Sequence, residues 1–118
     1  TFGIGVRYAS DAAAALAEIG INAEIIDLRT IRPLDMETVI NSVKKTNRCI
    51  TIEEGFPQSG VGAEIGMQIM QEAFDYLDAP IIRIAGKDVP MPYAANLEKL
   101  ALPSVEEIVE AAKAVSYK

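Results

Sequence analysis

Short apolar runs alternate with stretches of helical periodicity along this chain. Four of these runs predict β-strands, at residues 1–4, 24–28, 49–53 and 81–85. Strands that alternate with helices are typical of βα units, whose strands form a largely parallel sheet with helices on both faces. The sequence therefore predicts one α/β domain over residues 1–118, a three-layer α/β/α sandwich with a mostly parallel (mixed) sheet.

Four helices are predicted from apolar residues that recur at helical spacing. The first helix stops at Gly20, and the second is capped by Asp35. The third ends before Pro80, and the fourth begins with a capping box formed by Ser104 and Glu107. The apolar stripes of the four helices contain Ala9, Ala12, Ala13, Leu16 and Ile19; Met36, Val39, Ile40 and Val43; Ile65, Ile69 and Ala73, flanked by Met70, Phe74 and Leu77; and Val105, Ile108, Val109 and Ala112.

Composition excludes several classes of function. The net charge of −6 speaks against a nucleic-acid partner, since phosphate binding needs a basic surface. The single Cys49 cannot form an internal disulfide, which suits a reducing compartment. No apolar run is long enough for a membrane span, and no signal peptide is recognisable. Because an apolar run begins directly at Thr1, we expect the chain to be a domain excised from a longer protein.

A weak nucleotide-binding motif lies near the start of the chain. Gly3 and Gly5 stand at the first predicted strand-to-helix turn, and Asp27 ends the next predicted strand, as in dinucleotide-binding domains. Tyr8, however, occupies the position where that motif needs a small residue. A tight turn without a ligand is the favoured interpretation, and a free-standing nucleotide-binding or flavodoxin-like domain remains the alternative.

A glycine-rich loop at residues 55–62 joins the third predicted strand to the third helix. Backbone N–H groups in such a loop can bind an anion, but Glu53, Glu54 and Glu64 would oppose a phosphate. The length of the loop and its Phe56 favour a contact surface for another subunit. The predicted interface residues are Gly55, Phe56, Pro57, Gln58, Gly60 and Gly62.

No catalytic, cofactor-binding or metal-binding residue is predicted in this chain. Glu53 and Glu54 would point to opposite faces of a strand, so they do not form a catalytic pair. The chain has no histidine, the most common general base and metal ligand. Cys49 begins an apolar run and is expected to be buried rather than nucleophilic.

Four ordered segments resemble a known enzyme family. Residues 27–35 (DLRTIRPLD) resemble a motif in the C-terminal domain of transketolase-like thiamine enzymes. From the residues alone, the arginines of this motif are more readily explained by pairing with nearby acids than by binding a phosphate or a neighbouring subunit. Residues 44–47 (KKTN), 53–65 (EEGFPQSGVGAEI) and 88–93 (DVPMPY), the last held extended by two prolines, resemble the β subunits of pyruvate dehydrogenase E1.

The resemblance implies an α2β2 enzyme that decarboxylates pyruvate with thiamine diphosphate and Mg²⁺ and transfers the acetyl unit to the lipoyl group of the E2 acyltransferase. In that family the cofactor lies between the α subunit and the N-terminal domain of β. The C-terminal domain contributes to the contacts with the E1 α subunit and a second β subunit, and it docks the subunit-binding domain of E2. The expected location is the bacterial cytoplasm or the mitochondrial matrix, and the isolated domain is expected to be inactive.

Two further residues match the docking region of the family. Asp78 corresponds to an acidic position that can meet a basic E2 surface, and the C-terminal carboxylate of Lys118 would lie beside it. From the residues alone, Asp78 could equally be the residue that ends a segment before a proline, without a docking role. The side chain of Lys118 is not what an acidic docking patch requires, because its positive charge would weaken the attraction of a basic partner.

Overall fold

The computed structural model describes residues 1–91 and 93–117. The α-helices in chain order are α1 (Gly5–Ala17), α2 (Met36–Thr46), α3 (Val61–Ala73), α4 (Ala95–Ala101) and α5 (Val105–Val115). The strands are β1 (Ile50–Ile52) and β2 (Ile82–Ile84), and a 3₁₀ turn (Phe74–Tyr76) follows α3. None of the helices in these two described ranges is long and apolar enough to cross a membrane.

The two strands form a parallel pair between two helical layers. Ile50 pairs with Ile82 and Ile52 with Ile84. Helices α1 and α5 pack together over one face of the strands, and α2 and α3 cover the other. This is the predicted α/β/α arrangement, with a smaller regular sheet.

Two of the predicted strands are not regular strands, and this expectation was wrong. Residues 24–28 and 1–4 are joined only where the Thr1 amine donates to the Ile26 carbonyl at 3.1 Å and the Leu28 N–H donates to the Thr1 carbonyl at 2.9 Å. A β-strand needs a continuous series of backbone hydrogen bonds to its neighbour, and one bridge made of these two bonds does not supply it. Gly3, with φ +58°, then turns the chain directly into α1.

Local capping explains where the helices start. The Asp35 carboxylate accepts from the Thr38 N–H at 3.1 Å and from the Thr38 hydroxyl at 2.6 Å, and these bonds hold the pKa of Asp35 below its ordinary value. The Ser104 hydroxyl accepts from the Glu107 N–H at 3.2 Å. Asp35 and Ser104 are thus confirmed as caps, whereas the Glu107 carboxylate accepts from the Ser104 hydroxyl and from Lys87 and does not close the predicted capping box. Gly20 takes φ +83° just beyond α1, as expected of a residue that stops a helix.

Two details of the helices differ from the prediction. The third helix ends at Ala73 and tightens into the 3₁₀ turn, so Phe74 and Leu77 lie beyond it. Helix α4 was not predicted; it has only seven residues and no capping side chain, and Ala101 is its one buried residue. Residues 88–91 are irregular as expected, and Pro92 lies outside the described residues.

The larger of two apolar clusters lies between α2 and α3 and centres on Ile69, which is fully buried. We expect Ile69→Ala to lower the free energy of unfolding by about 3 kcal/mol, since it removes buried apolar atoms and leaves a cavity. Ile69→Val should cost only about 1 kcal/mol. Urea denaturation followed by circular dichroism measures both values, and equal losses would contradict the assignment of Ile69 to the centre of the core.

Candidate functional site

The candidate site is built on the polar face of the two strands. Side chains alternate along a strand, so Ile50 and Ile52 face α1 and α5 while Thr51 faces the start of α3. Glu53 and Arg83 lie on this same face. Thr51 and Glu53 are only 6% and 5% exposed, so the structure places a buried polar cluster beneath the first turn of α3.

Glu53 caps α3 from the neighbouring strand. Gly60 precedes this helix and has no side chain to bond its free amides. The Glu53 carboxylate instead accepts from the Gly62 N–H at 2.7 Å. A negative charge is favourable at a helix N-terminus, and the Arg83 guanidinium lies 3.8 Å from the same carboxylate oxygen. These partners offset the desolvation of a carboxylate that is buried almost completely.

Two glycines leave the space that this carboxylate occupies. A Cβ atom on Gly60 would overlap the Glu53 carboxylate. A Cβ atom on Gly62 would lie 2.5 Å from a Glu53 oxygen and 2.6 Å from the Thr51 hydroxyl oxygen. The glycines of the loop therefore serve close packing around Glu53. Because the carboxylate fills the anion site at this helix N-terminus, a phosphate is not expected to bind there.

The loop of residues 55–62 is held at several points. The Arg83 guanidinium donates to the Pro57 carbonyl, and the Gly86 N–H donates to the Gly55 carbonyl at 2.9 Å. The Gly60 N–H donates to the Pro57 carbonyl at 3.2 Å, which closes a turn. These bonds fix the shape of the loop and point one aromatic side chain, Phe56, into solvent, where it is 50% exposed.

The predicted interface residues share this loop but differ in exposure. Gly55, Phe56 and Gln58 are exposed, and Pro57 and Gly60 are half-buried. Gly62 is buried within the first turn of α3. Gly62 thus supports the loop from below and does not belong to its outer surface.

Asp78 lies at the far end of α3, after the 3₁₀ turn. Its side chain is 58% exposed, and the Arg48 guanidinium is 3.9 Å from its carboxylate. Arg48 also donates through Nε to the Val115 carbonyl at 2.7 Å, and the Tyr117 hydroxyl donates to the Asp78 carbonyl at 2.6 Å. The end of α5 is therefore bonded to the Asp78 segment. Lys118, the other predicted docking residue, lies outside the described residues.

The loop and Asp78 form two separate surfaces. Helix α3 has 13 residues and lies between them. At a rise of 1.5 Å per residue, they are separated by a helix about 20 Å long. The structure therefore does not bring the interface residues and the docking residue into one site.

An exposed groove along α3 was missed by the sequence analysis. It encloses about 650 Å³ and is bounded by the outer side of α3 and the segment that follows it. Met67, Met70 and Phe74 are 57%, 48% and 60% exposed. The sequence could have indicated this groove, because these residues fall outside the stripe of Ile65 and Ile69 that faces the core. The groove is lined by Gly62, Ala63, Gly66, Met67, Met70, Phe74, Leu77, Asp78, Ala79, Pro80, Ile81 and Arg83.

The remaining chemical candidates have structural explanations. Asp27 lies 2.9 Å from Arg29 in an ion pair, and Gly3 adopts a positive φ in the turn before α1. Both features agree with the tight-turn interpretation of the glycine motif. Glu53 is buried and Glu54 exposed, so the two carboxylates do diverge. Across residues 1–91 and 93–117, no three His, Cys, Asp or Glu side chains cluster in a way that could hold a metal ion.

The glycines of α3 allow a matched test of the polar cluster. We expect Gly62→Ala to lower the free energy of unfolding by about 2 kcal/mol, because the added methyl group displaces Glu53 or Thr51. Gly66→Ala should instead raise it by up to about 1 kcal/mol, since nothing lies within 4 Å of the added atom and alanine favours the helix. Urea denaturation of the two variants at low protein concentration tests this, and effects of the same sign would contradict it.

Cys49 packs against the larger apolar cluster, and burial raises the pKa of its thiol from 9.0 to about 11. The unfolded chain loses this proton near pH 9, so stability should fall as pH rises from 9 to 11.

Below pH 9 we expect iodoacetamide to alkylate Cys49 far more slowly in the folded chain than in urea. Mass spectrometry of timed samples measures both rates, and equal rates after correction for urea would show that the thiol is accessible.

Comparison with known proteins agrees with this arrangement. Residues 1–108 match the family described as the transketolase C-terminal domain. The chain is 70% identical over 118 residues to the pyruvate dehydrogenase E1 component subunit beta of Rhizobium meliloti (strain 1021), which covers 100% of this chain and 26% of that protein. It is 62% identical over 113 residues to a mitochondrial beta-1 subunit of Oryza sativa subsp. japonica, covering 96% of this chain and 30% of that protein.

A mitochondrial beta subunit from Dictyostelium discoideum is 60% identical over 113 residues, covering 96% of this chain and 32% of that protein. The chain thus spans between a quarter and a third of the length of these relatives. The family match covers nearly the whole chain, and the α/β layers described above agree with it. The chain belongs to the transketolase C-terminal domain family.

Proposed function

We propose that this chain is the C-terminal domain of the β subunit of a pyruvate dehydrogenase E1, and that it holds other polypeptides rather than catalysing a reaction. The observation that carries the proposal is the 70% identity to one such subunit over every residue of the chain. Relatives occur in bacteria and, by their names, in mitochondria, so we place the protein in the bacterial cytoplasm or the mitochondrial matrix.

The parent enzyme would use thiamine diphosphate and Mg²⁺ to decarboxylate pyruvate, and the acetyl unit would pass to E2. We propose that the part of the chain that the structure describes does not hold this cofactor. It offers no cluster of three metal-binding side chains, and the α3 N-terminus is already bonded to Glu53. We therefore assign the cofactor and the reaction to the E1 α subunit and the remainder of the β subunit.

The loop of residues 55–62 suits the assembly role. A fixed loop loses little conformational entropy when a partner covers it. Its bonds to Arg83 and Gly86 supply that order in advance. Phe56 presents an exposed aromatic side chain, the type that contributes strongly at the centre of interfaces. We infer that this loop contacts the E1 α subunit or a second β subunit.

Asp78 suits the docking role. Its carboxylate is 58% exposed, and it belongs to a chain with a net charge of −6. Such a surface accelerates the approach of a basic partner at low salt. Arg48, 3.9 Å away, holds the carboxylate without covering it. We infer that Asp78 meets the basic surface of the E2 subunit-binding domain.

We expect Asp78→Asn to slow association with the E2 subunit-binding domain by about three- to tenfold at low salt, because it removes one attractive charge. The difference should shrink as salt approaches 0.5 M, since screening then weakens the attraction for both proteins. Surface plasmon resonance at several salt concentrations measures these rates.

The matched control is Asp11→Asn, which makes the same charge change on α1, in the helical layer opposite α3. Equal effects of the two substitutions would show that net charge, and not the Asp78 surface, controls docking. A large rise in melting temperature with NAD or FMN, together with no binding of the E2 domain, would overturn the proposed function in favour of a nucleotide-binding domain.

A further inference from the structure

The residue proposed for docking, Asp78, lies at a corner where three segments of the chain meet. Its own segment follows the 3₁₀ turn, and the other two are the ends of α2 and α5. The Asp78 N–H donates to the carbonyl of Asn47, the residue that ends α2, at 2.9 Å. The Asp78 carbonyl accepts from the Tyr117 hydroxyl at 2.6 Å. Both backbone polar groups of Asp78 are therefore bonded to distant parts of the sequence.

Asn47 holds this corner from one side. It adopts the left-handed conformation that commonly ends a helix, with φ +66°. Its side-chain amide donates to the Tyr76 carbonyl at 2.8 Å, and its own carbonyl accepts from Asp78. The backbone is thus bonded to Asn47 on both sides of Leu77. The chain that leads into Asp78 is therefore ordered before a partner arrives.

Tyr117 holds the same corner from the other side, and burial does not explain its position. It is 71% exposed, so its ring contributes little to the core. Its backbone has φ +58°, a conformation that is rare for a residue with a bulky side chain. Such a conformation persists where other contacts maintain it, and it is found most often at functional sites. The bond from its hydroxyl to Asp78 supplies a contact of this kind.

Arg48 orients the Asp78 carboxylate without covering it. Its Nε donates to the Val115 carbonyl at 2.7 Å, which fixes the guanidinium at the end of α5. Its terminal nitrogen lies 3.9 Å from the Asp78 carboxylate, close enough for an ion pair but too far for a hydrogen bond. The carboxylate is therefore attracted in one direction, and its oxygens can still accept hydrogen bonds from a partner.

We propose that Tyr117 is a positioning residue for the E2 subunit-binding domain: its hydroxyl fixes the backbone of Asp78, and Asp78 makes the contact. The inference rests on the docking role given under Proposed function and extends it to a residue at the end of α5. Binding costs less free energy when the contacting segment is already ordered, because its conformational entropy has been lost on folding. The Tyr117 bond supplies part of that order.

The position and the charge of Asp78 affect different rate constants. The charge attracts a basic partner from a distance, so its removal mainly slows association. The Tyr117 hydroxyl is neutral, and its removal leaves the charge of Asp78 in place. We therefore expect a change at Tyr117 to act mainly on dissociation, as most changes at interfaces do.

The decisive variant is Tyr117→Phe, which removes the hydroxyl and retains the ring. We expect dissociation of the E2 subunit-binding domain to be about fivefold faster, a factor that corresponds to about 1 kcal/mol and is typical of one hydrogen bond. Association at low salt should change by less than about twofold, because the charge is unchanged. Surface plasmon resonance measures both rates, and circular dichroism shows whether the variant is folded.

A double-mutant cycle tests whether Tyr117 acts through Asp78. If Tyr117 positions Asp78, then Tyr117→Phe should have little further effect in a chain that already carries Asp78→Asn. If Tyr117 touched the partner itself, or only stabilised α5, the substitution would weaken binding by the same factor in both backgrounds. Equal factors would therefore overturn the proposal.

Tyr93→Phe is the matched control, since it makes the same chemical change at a residue that is fully exposed. It should bind the E2 domain like the parent, and a loss equal to that of Tyr117→Phe would contradict the proposal. Nuclear magnetic resonance gives an independent readout. The carbonyl carbon of Asp78 should shift in Tyr117→Phe but not in Tyr93→Phe, and an unchanged resonance in Tyr117→Phe would show that the hydroxyl does not bond there.

Failure of this inference can be distinguished from failure of the proposed function. Slower association of Asp78→Asn, together with parental dissociation of Tyr117→Phe, would retain the docking role and refute the positioning role. A parent chain that does not bind the E2 domain, or an Asp78→Asn variant that binds like the parent, would refute the docking role itself and the positioning role with it.

Discussion

The capping of α3 by the buried carboxylate of Glu53 is the interaction on which the site depends. It joins the end of one strand to the start of a helix through a bond of 2.7 Å. The same carboxylate sets where Arg83 lies, and Arg83 in turn bonds the loop of residues 55–62. The glycines at 60 and 62 follow from this arrangement, because any larger residue would occupy the space of the carboxylate. Glu53 thus connects the start of α3 to one of the bonds that hold the loop.

Local signals in the sequence were sufficient for much of the fold. Asp35 and Ser104 were identified as caps, because capping depends on residues three positions apart. The two regular strands, Ile50–Ile52 and Ile82–Ile84, lie inside predicted apolar runs. These features are set by short-range chemistry, which a single sequence displays directly.

Features that depend on distant partners were not predictable in this way. Residues 24–28 have the composition of a strand, but a strand also requires a neighbouring backbone to bond. The role of Glu53 could not be found from sequence, since its partners Gly62 and Arg83 come from other elements. The exposed side of α3 was missed because Met70 and Phe74 look like core residues in a helical pattern. Apolar periodicity alone does not reveal which of two apolar sides faces outward.

The hydrogen bonds around Asp78 have a consequence for the docking proposed at this residue. The Asp78 segment follows α3 in one helical layer, whereas Val115 and Tyr117 belong to the end of α5 in the other. Arg48 and Tyr117 therefore connect the two layers at one corner of the molecule, outside the sheet. Fraying of the last turn of α5 would remove the bonds of Val115 and Tyr117 to this corner, and only the bond from the Asp78 N–H to the Asn47 carbonyl, 2.9 Å long, would still hold the Asp78 backbone. The docking proposed at Asp78 would therefore depend in part on a helix that the partner need not touch.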